Sequence, residues 1–152
     1  MKKITQFEKA DRLYNDGKFK EALNLFKEIA KNGDDSAMDR IGTMYADGEG
    51  IEKNISKAIE WYKQSVSEGG LTSLYNLGLV YKCENNINES KRWFSMALNE
   101  GDTEASVELA KLYLDNDVNK AISYLKIALL DNDLILDVRE EAESLLKKLD
   151  IR

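Results

Sequence analysis

The sequence predicts an all-α fold of stacked helix pairs, and three observations predict it. A pattern of small and aromatic residues returns four times at intervals of 31 to 36 residues. Self-similarity at that period marks a chain of repeated supersecondary units rather than one irregular core. Inside each repeat the apolar residues stand three and four apart, the period of amphipathic helices, and strand-like alternation is missing. The chain also has no proline, which suits an almost wholly helical backbone.

The first pair is predicted over 4–15 and 18–31. Ala10 fills the small slot with Leu13 three places on, Ala22 fills a second small slot before Leu25 and Phe26, and Gly33 ends the unit. The second pair, 35–47 and 54–68, repeats this with Gly42, Tyr45, Ala58, Trp61, Tyr62 and Gly69. The third, 71–83 and 87–100, has Gly78, Tyr81, Ser90, Trp93, Phe94 and Gly101. The fourth, 103–115 and 118–131, has Ala110, Tyr113, Ala121, Tyr124, Leu125 and Asn132. Small residues belong where two helices cross, because only a short side chain lets the backbones approach, and the aromatics fill the space around the crossing. Gly33, Gly69 and Gly101 can take the left-handed conformation that closes a helix. Asp or Asn precedes several helices, and Asn86 with Glu89 has capping-box spacing.

A last helix is expected over 134–149. It carries Leu134, Val138, Ala142, Leu145, Leu146 and Leu149 on one face, with Asp137 and Glu140 at the spacing of a second capping box. A terminal repeat needs a cover for its stacking surface, and this helix is read as that cap. The alternative is a dimerisation helix, since exposed apolar stripes mark interfaces. The expected organisation is a single domain over 1–152, with repeats at 4–33, 34–69, 70–101 and 102–132.

At 152 residues, 43% apolar and 33% charged, the chain has the composition of an ordered globular protein. A net charge of −6 argues against nucleic acid as a ligand, because phosphate binding depends on clustered Lys and Arg. Met1, Lys2 and Lys3 resemble a leader, but Gln6, Glu8, Lys9, Asp11 and Arg12 interrupt any apolar stretch after them. No run approaches membrane-spanning length, so no membrane partner is expected. Cys83 is the only cysteine, which excludes an internal disulfide and fits a reducing, cytoplasmic setting.

Catalytic chemistry finds little purchase. There is no histidine, which removes the commonest general base and metal ligand. Cys83 without a His or a second Cys is read as a small packed hydrophobe. Asp47-Gly48-Glu49-Gly50 has the outline of a calcium loop, but the next oxygen ligand falls on Ile51, so it reads as a turn. The pairs Asp34-Asp35 and Glu140-Glu141 are explained by helix caps and solvated faces. A phosphate-binding glycine loop and a Gly-x-Ser-x-Gly elbow are both missing. No enzyme, cofactor or metal is expected.

The stretch from Ala37 to Ile51, continuing through Asn54, Ala58, Trp61, Tyr62 and Gly69, resembles a full Sel-one-like unit of the tetratricopeptide superfamily. Its longer turn with Gly48 and Gly50 accounts for the 36-residue interval. Leu77 to Tyr81 followed by Lys91 to Phe94 is similar without the paired glycines, and Ala10 to Ala30 is closer to an ordinary tetratricopeptide unit. The resemblance covers residues 4 to 131 and implies a right-handed αα superhelix of four helix pairs plus a cap helix. It also implies an adaptor or scaffold role, and a concave groove lined by the first helix of each repeat. The implied groove positions are Phe7 and Asp11, Asp39 and Thr43, Tyr75 and Leu79, Val107 and Lys111, with Tyr14, Ala46, Lys82 and Leu114 one turn on. Tyr75, Leu79, Val107 and Leu114 are apolar where a solvated face would be polar, as at interface hot spots. The alternative is that the cap helix folds over Val107 and Leu114 and makes them core. Some disulfide-rich relatives are associated with cell-wall or antibiotic-like small molecules, a pattern from which the lone cysteine departs.

From Asp34 to Glu52 Arg40 is the only base among six acids, a stretch that could steer a basic partner. The expected function is therefore non-enzymatic binding of a polypeptide, with a basic protein electrostatically favoured, by a monomer or weak homodimer. A narrower expectation is an immunity-type inhibitor of a basic toxin domain, motivated by small size and acidity. A binder or hydrolase of cell-wall fragments is the remaining alternative.

Overall fold

The computed structural model describes residues 4–150, and among them it contains nine α-helices and no strand. They are α1 (Gln6–Asn15), α2 (Phe19–Ala30), α3 (Asp35–Asp47), α4 (Ile55–Ser67), α5 (Thr72–Cys83), α6 (Ile87–Asn99), α7 (Glu104–Tyr113), α8 (Val118–Leu130) and α9 (Leu136–Asp150). The all-α class and every predicted helix are borne out, with boundaries displaced by no more than a few residues.

Short polar side chains start most helices by taking a free amide of the first turn. Asp34 accepts from the Ala37 amide at 2.8 Å, Asn54 from Lys57 at 3.0 Å and Asp117 from Lys120 at 2.9 Å. The reciprocal capping box occurs at Thr5 and Glu8. At the expected second site only half of it forms: Asn86 accepts from the Glu89 amide, but the Glu89 carboxylate turns to the Trp93 indole at 3.1 Å. Helix α9 begins at Leu136, so Asp137 sits inside its first turn and not at the cap position expected for it.

By contact the chain divides inside α5 into two compact units, Met1–Val80 and Tyr81–Arg152. In the first, α1 packs on α2 and α3 on α4 as antiparallel pairs, with α2 against α3. Gly42 is the close approach of the second pair. A Cβ built on it would lie 2.6 Å from Cε1 and 2.7 Å from Cδ1 of Tyr62, so the aromatic ring occupies the volume that any larger residue would need. Around this crossing Ala58, Ile41, Met44, Tyr45 and Tyr62 are buried, and full burial of a side chain such as Ile41 contributes roughly 1.5–3 kcal/mol. The turn after α3 is the glycine turn expected from Asp47 to Gly50. Gly48 takes a left-handed φ of 80° as the C-cap. Gly50 has φ 69° and lies so near Phe19 that a Cβ would be 2.2 Å from the Phe19 Cβ, which locks this turn onto the start of α2.

In the second unit α6 packs on α7, α7 on α8, and α9 on both α7 and α8. Val107, Ala110, Ala121, Leu125, Ala128, Leu134 and Ala142 form its core, with Leu114, Val138, Leu145, Leu146 and Leu149 packed against it. The apolar stripe of the last helix thus covers the fourth pair. Cys83 corrects the sequence reading: as the last residue of α5 it is exposed, not packed. No helix among the described residues is long and apolar enough to cross a membrane.

The Gly42 contact yields a first test. Gly42→Ala is expected to lower the unfolding free energy by about 1–3 kcal/mol in urea titrations, overpacking at the crossing outweighing a helix-propensity gain of about 1 kcal/mol. An unchanged or raised stability would mean that the two helices do not meet this closely.

Candidate polypeptide-binding faces

In the first unit the first helices of successive repeats carry polar side chains that reach for one another. Arg40 of α3 pairs with Asp11 of α1 at 2.8 Å and lays its guanidinium over the Tyr14 ring, 5.5 Å from the centroid. The Tyr14 hydroxyl donates to Glu49, and its ring meets Phe19 edge-on at 5.3 Å. Partial burial, then the Glu49 hydrogen bond and charge, push the Tyr14 phenol up to about 12. Asp39 Oδ1 accepts from Ser73 at 2.5 Å and from Asn76 at 2.9 Å, which ties α5 to α3. The Thr43 hydroxyl is 3.1 Å from the Asp39 carbonyl oxygen and 3.1 Å from the Tyr62 hydroxyl. Burial raises the Tyr62 phenol well above the ordinary tyrosine value.

Between these helices lies a cavity of about 330 Å³ lined by Phe7, Asp35, Ser36, Asp39, Arg40, Ser65 and Thr72. Phe7 is fixed against Phe26 with ring centroids 5.5 Å apart. Ser65 is fully buried and donates to the Asp35 carbonyl at 2.9 Å, which holds α4 against the start of α3. A larger hollow of about 650 Å³ lies on the other side of Asp35, at the end of α2, and is lined by Gln6, Leu25, Glu28, Ile29, Asn32, Gly33, Asp34 and Asp35. The smaller cavity is the better candidate because its walls come from four helices and combine an aromatic ring with two carboxylates, whereas the larger one is framed mainly by helix ends. Tyr75 and Leu79 are half-buried on α5, and Ala46 is half-buried on α3.

The second unit treats its expected groove residues differently. Val107 is 1% exposed and belongs to the core, and Leu114 packs against that core. Val107 offers no surface and Leu114 only part of one, because α9 packs on α7. Lys82 and Lys111 are not cations held out to a partner. Their ammonium groups donate to opposite oxygens of Glu108 at 2.6 and 2.8 Å, and Lys111 also reaches Glu141 of α9 at 2.7 Å. Burial alone would raise the Glu108 carboxyl, but the hydrogen bonds from Lys111 and Lys82 outweigh it and hold it below the ordinary glutamate range. Burial opposes the charge of Lys111 as well, and its bonds to Glu108 and Glu141 again win, raising it.

Sequence reasoning missed Asp35, Ser36, Arg40, Ser65 and Thr72 as cavity residues and Glu108 as a hub. One signal was available. Arg40, Asn76 and Glu108 all stand two places before the small slot of their repeats, and each reaches back to the preceding first helix. Among the described residues no group of three or more His, Cys, Asp or Glu side chains is placed to hold a metal ion.

The Sel1 repeat family matches residues 35–70, 70–102 and 104–133. A sel1-like repeat-containing protein of Acanthamoeba polyphaga mimivirus is 40% identical over 57 residues, 38% of this chain and 11% of that protein. The chain therefore spans about a tenth of the length of this curated relative. Among solved structures, the Sel1 repeat protein from Oxalobacter formigenes superposes with a TM-score of 0.73 at 22% identity, covering 87% of this chain and 56% of that one. The crystal structure of MamA superposes with a TM-score of 0.68 at 18% identity, covering 93% and 92%. At these identities the structural likeness establishes the fold.

The Glu108 hub predicts acid sensitivity of defined sign. Because its folded pKa is lowered, its stabilisation is complete above the unfolded value of about 4.3 and is lost as pH falls and the folded carboxylate takes up a proton. Glu108→Gln should lower the unfolding free energy at pH 7 by about 2 kcal/mol. In urea titrations across pH the gap between wild type and variant should begin to narrow below about pH 4.3 and close only as pH falls past the lowered value of the folded carboxyl. A gap that persists in acid would assign Glu108 a packing role instead.

Proposed function

The chain belongs to the Sel1 repeat family, whose repeats are generally protein-interaction modules, and from that premise we propose that it is a non-catalytic protein that holds a polypeptide on its first-helix face. The observation that carries this reading is the cavity of about 330 Å³ in the first unit, with Phe7 on one wall and Asp35 and Asp39 beside it. Its size suits one long side chain. An aromatic wall favours a cation by its ring quadrupole, and the two carboxylates stand one helical turn apart on α3, so both can face the same group. Ser73 and Asn76 both bind Oδ1 of Asp39, which leaves Oδ2 for a donor from outside. A lysine or arginine of the bound polypeptide is the fitting occupant. Tyr75 and Leu79 on α5 supply apolar contact to neighbouring residues of the same segment.

Inhibition of a basic toxin domain is a narrower form of the same binding, favoured by the net charge of −6 and by the acidic cavity. The lone, exposed Cys83 suits a reducing compartment, and we place the protein in the cytoplasm.

The test is affinity capture from lysate of the native host with three baits: wild type, Asp35→Lys, and Tyr75→Glu with Leu79→Glu. A basic protein retained by the wild type should bind about tenfold more weakly to Asp35→Lys, and be lost from the double variant, with helicity and melting nearly unchanged. Equal retention by all three folded baits would remove the first-helix face as the binding site. Rescue of growth when a toxic basic neighbour is co-expressed would identify the narrower form.

A further inference from the structure

The corner where α8 turns into α9 exposes more aliphatic surface than its role as a cap requires. Leu130 is 80% exposed, Leu136 65%, Ile135 58% and Ile127 40%, although Leu134 among them is buried in the core. Ile127 and Leu130 are three apart and share a face of α8. The Arg139 guanidinium donates to the Asp131 carbonyl, so the start of α9 is clasped to the end of α8, which holds Leu130, Ile135 and Leu136 at one corner with Ile127 one turn back on α8. Left in water, these aliphatics forgo part of the burial free energy their surface could yield, and clustered exposure of this kind marks an interaction site.

Charge around the corner selects the partner. Asp133, Asp137 and Glu140 are exposed at its rim and make no side-chain hydrogen bond or ion pair among the described residues. The Arg139 guanidinium is already engaged by the clasp, and Lys126 is the base left beside Ile127. In an isologous dimer the same acids of two copies would be brought together, and an anionic lipid surface would be repelled for the same reason. We propose that the α8–α9 corner is a second docking surface, independent of the first-helix face, that takes an amphipathic polypeptide segment whose aliphatic residues are flanked by Lys and Arg. The aliphatics bury against Leu130, Ile135 and Leu136, and the bases pair with the acidic rim.

The probe is a capped, fluorescent leucine–lysine peptide of about 18 residues with its leucines at helical spacing, titrated with the full chain by anisotropy. Saturable binding is expected. It should weaken at least about tenfold in Leu130→Ser with Leu136→Ser, and about threefold in Asp133→Asn with Asp137→Asn, with a flatter salt dependence. Leu130→Ser alone, at the most exposed position, should show the same direction without any change in melting. Asp35→Lys should leave the binding unchanged, which separates this corner from the cavity of the first unit. No saturable binding, equal binding by the Leu130→Ser/Leu136→Ser variant, or equal binding of a leucine–glutamate peptide would overturn the proposal. So would a wild-type dimer in sedimentation that the same serine variant dissociates, since a second copy would then occupy the corner.

Discussion

The structure depends first on how closely two helices of one repeat can cross. At Gly42 the ring of Tyr62 lies where a Cβ would be, and this contact sets the separation of α3 and α4. The slots around it follow from that separation. Ala58 must be small because it faces the same crossing, and Tyr45 and Tyr62 must be large because the surrounding space is otherwise empty. Alanine fills the same slot at Ala10 and Ala110, both fully buried. The left-handed glycines after the helices then let each pair close and the next begin.

A second regularity is laid over the first. Arg40 reaches Asp11, Asn76 reaches Asp39, and Glu108 reaches Lys82, each from the position two before the small slot to the preceding first helix. The chemistry changes from ion pair to neutral-to-charged hydrogen bond and back to ion pair, while the geometry is kept. A polar contact here satisfies side chains that neighbouring helices partly bury, and an unmatched one would carry a desolvation cost of about 1–3 kcal/mol. Register between first helices is thus fixed by directional bonds, and spacing within a pair by packing. The residues that line the cavity of the first unit thus also fasten its helices to one another.

This sharing explains what was and was not legible in the sequence. Helices, turns and the covering role of α9 are governed by local period, caps and glycine conformation, all of which are written within a dozen residues. Phe7 and Asp39, which both line the cavity of the first unit, could be placed on one face of the first helices because the small slot fixes their direction on the helix. The fates of Lys82 and Lys111 could not, because they depend on Glu108, an acid from the −2 slot of the fourth repeat that takes one partner from α5 and one from α7. At Val107 the sequence leaves a groove position and a place under the cap helix both open, because α7 alone shows only an apolar residue there, and the packing of α9 decides for core. Cys83 failed for the converse reason: helical residues of its type are usually covered, and the last turn of α5 leaves this one open.

Internal pairing also decides what charge remains for a partner. Arg40 is committed to Asp11, Lys82 and Lys111 to Glu108, and Arg139 to a carbonyl at the end of α8. These cations lie on or beside the surfaces most able to bind, and each is already neutralised or hydrogen-bonded within the fold. The acids beside them are less fully spent: Asp39 uses one oxygen, and Asp133 and Asp137 project from the α8–α9 corner. A chain of net charge −6 therefore keeps carboxylates beside the cavity of the first unit and beside the α8–α9 corner. Field of one sign at a recess raises the encounter rate with a partner of the other sign and penalises wrong partners by like-charge contact. The same bonds that set the register of the first helices thus neutralise the cations that lie beside them.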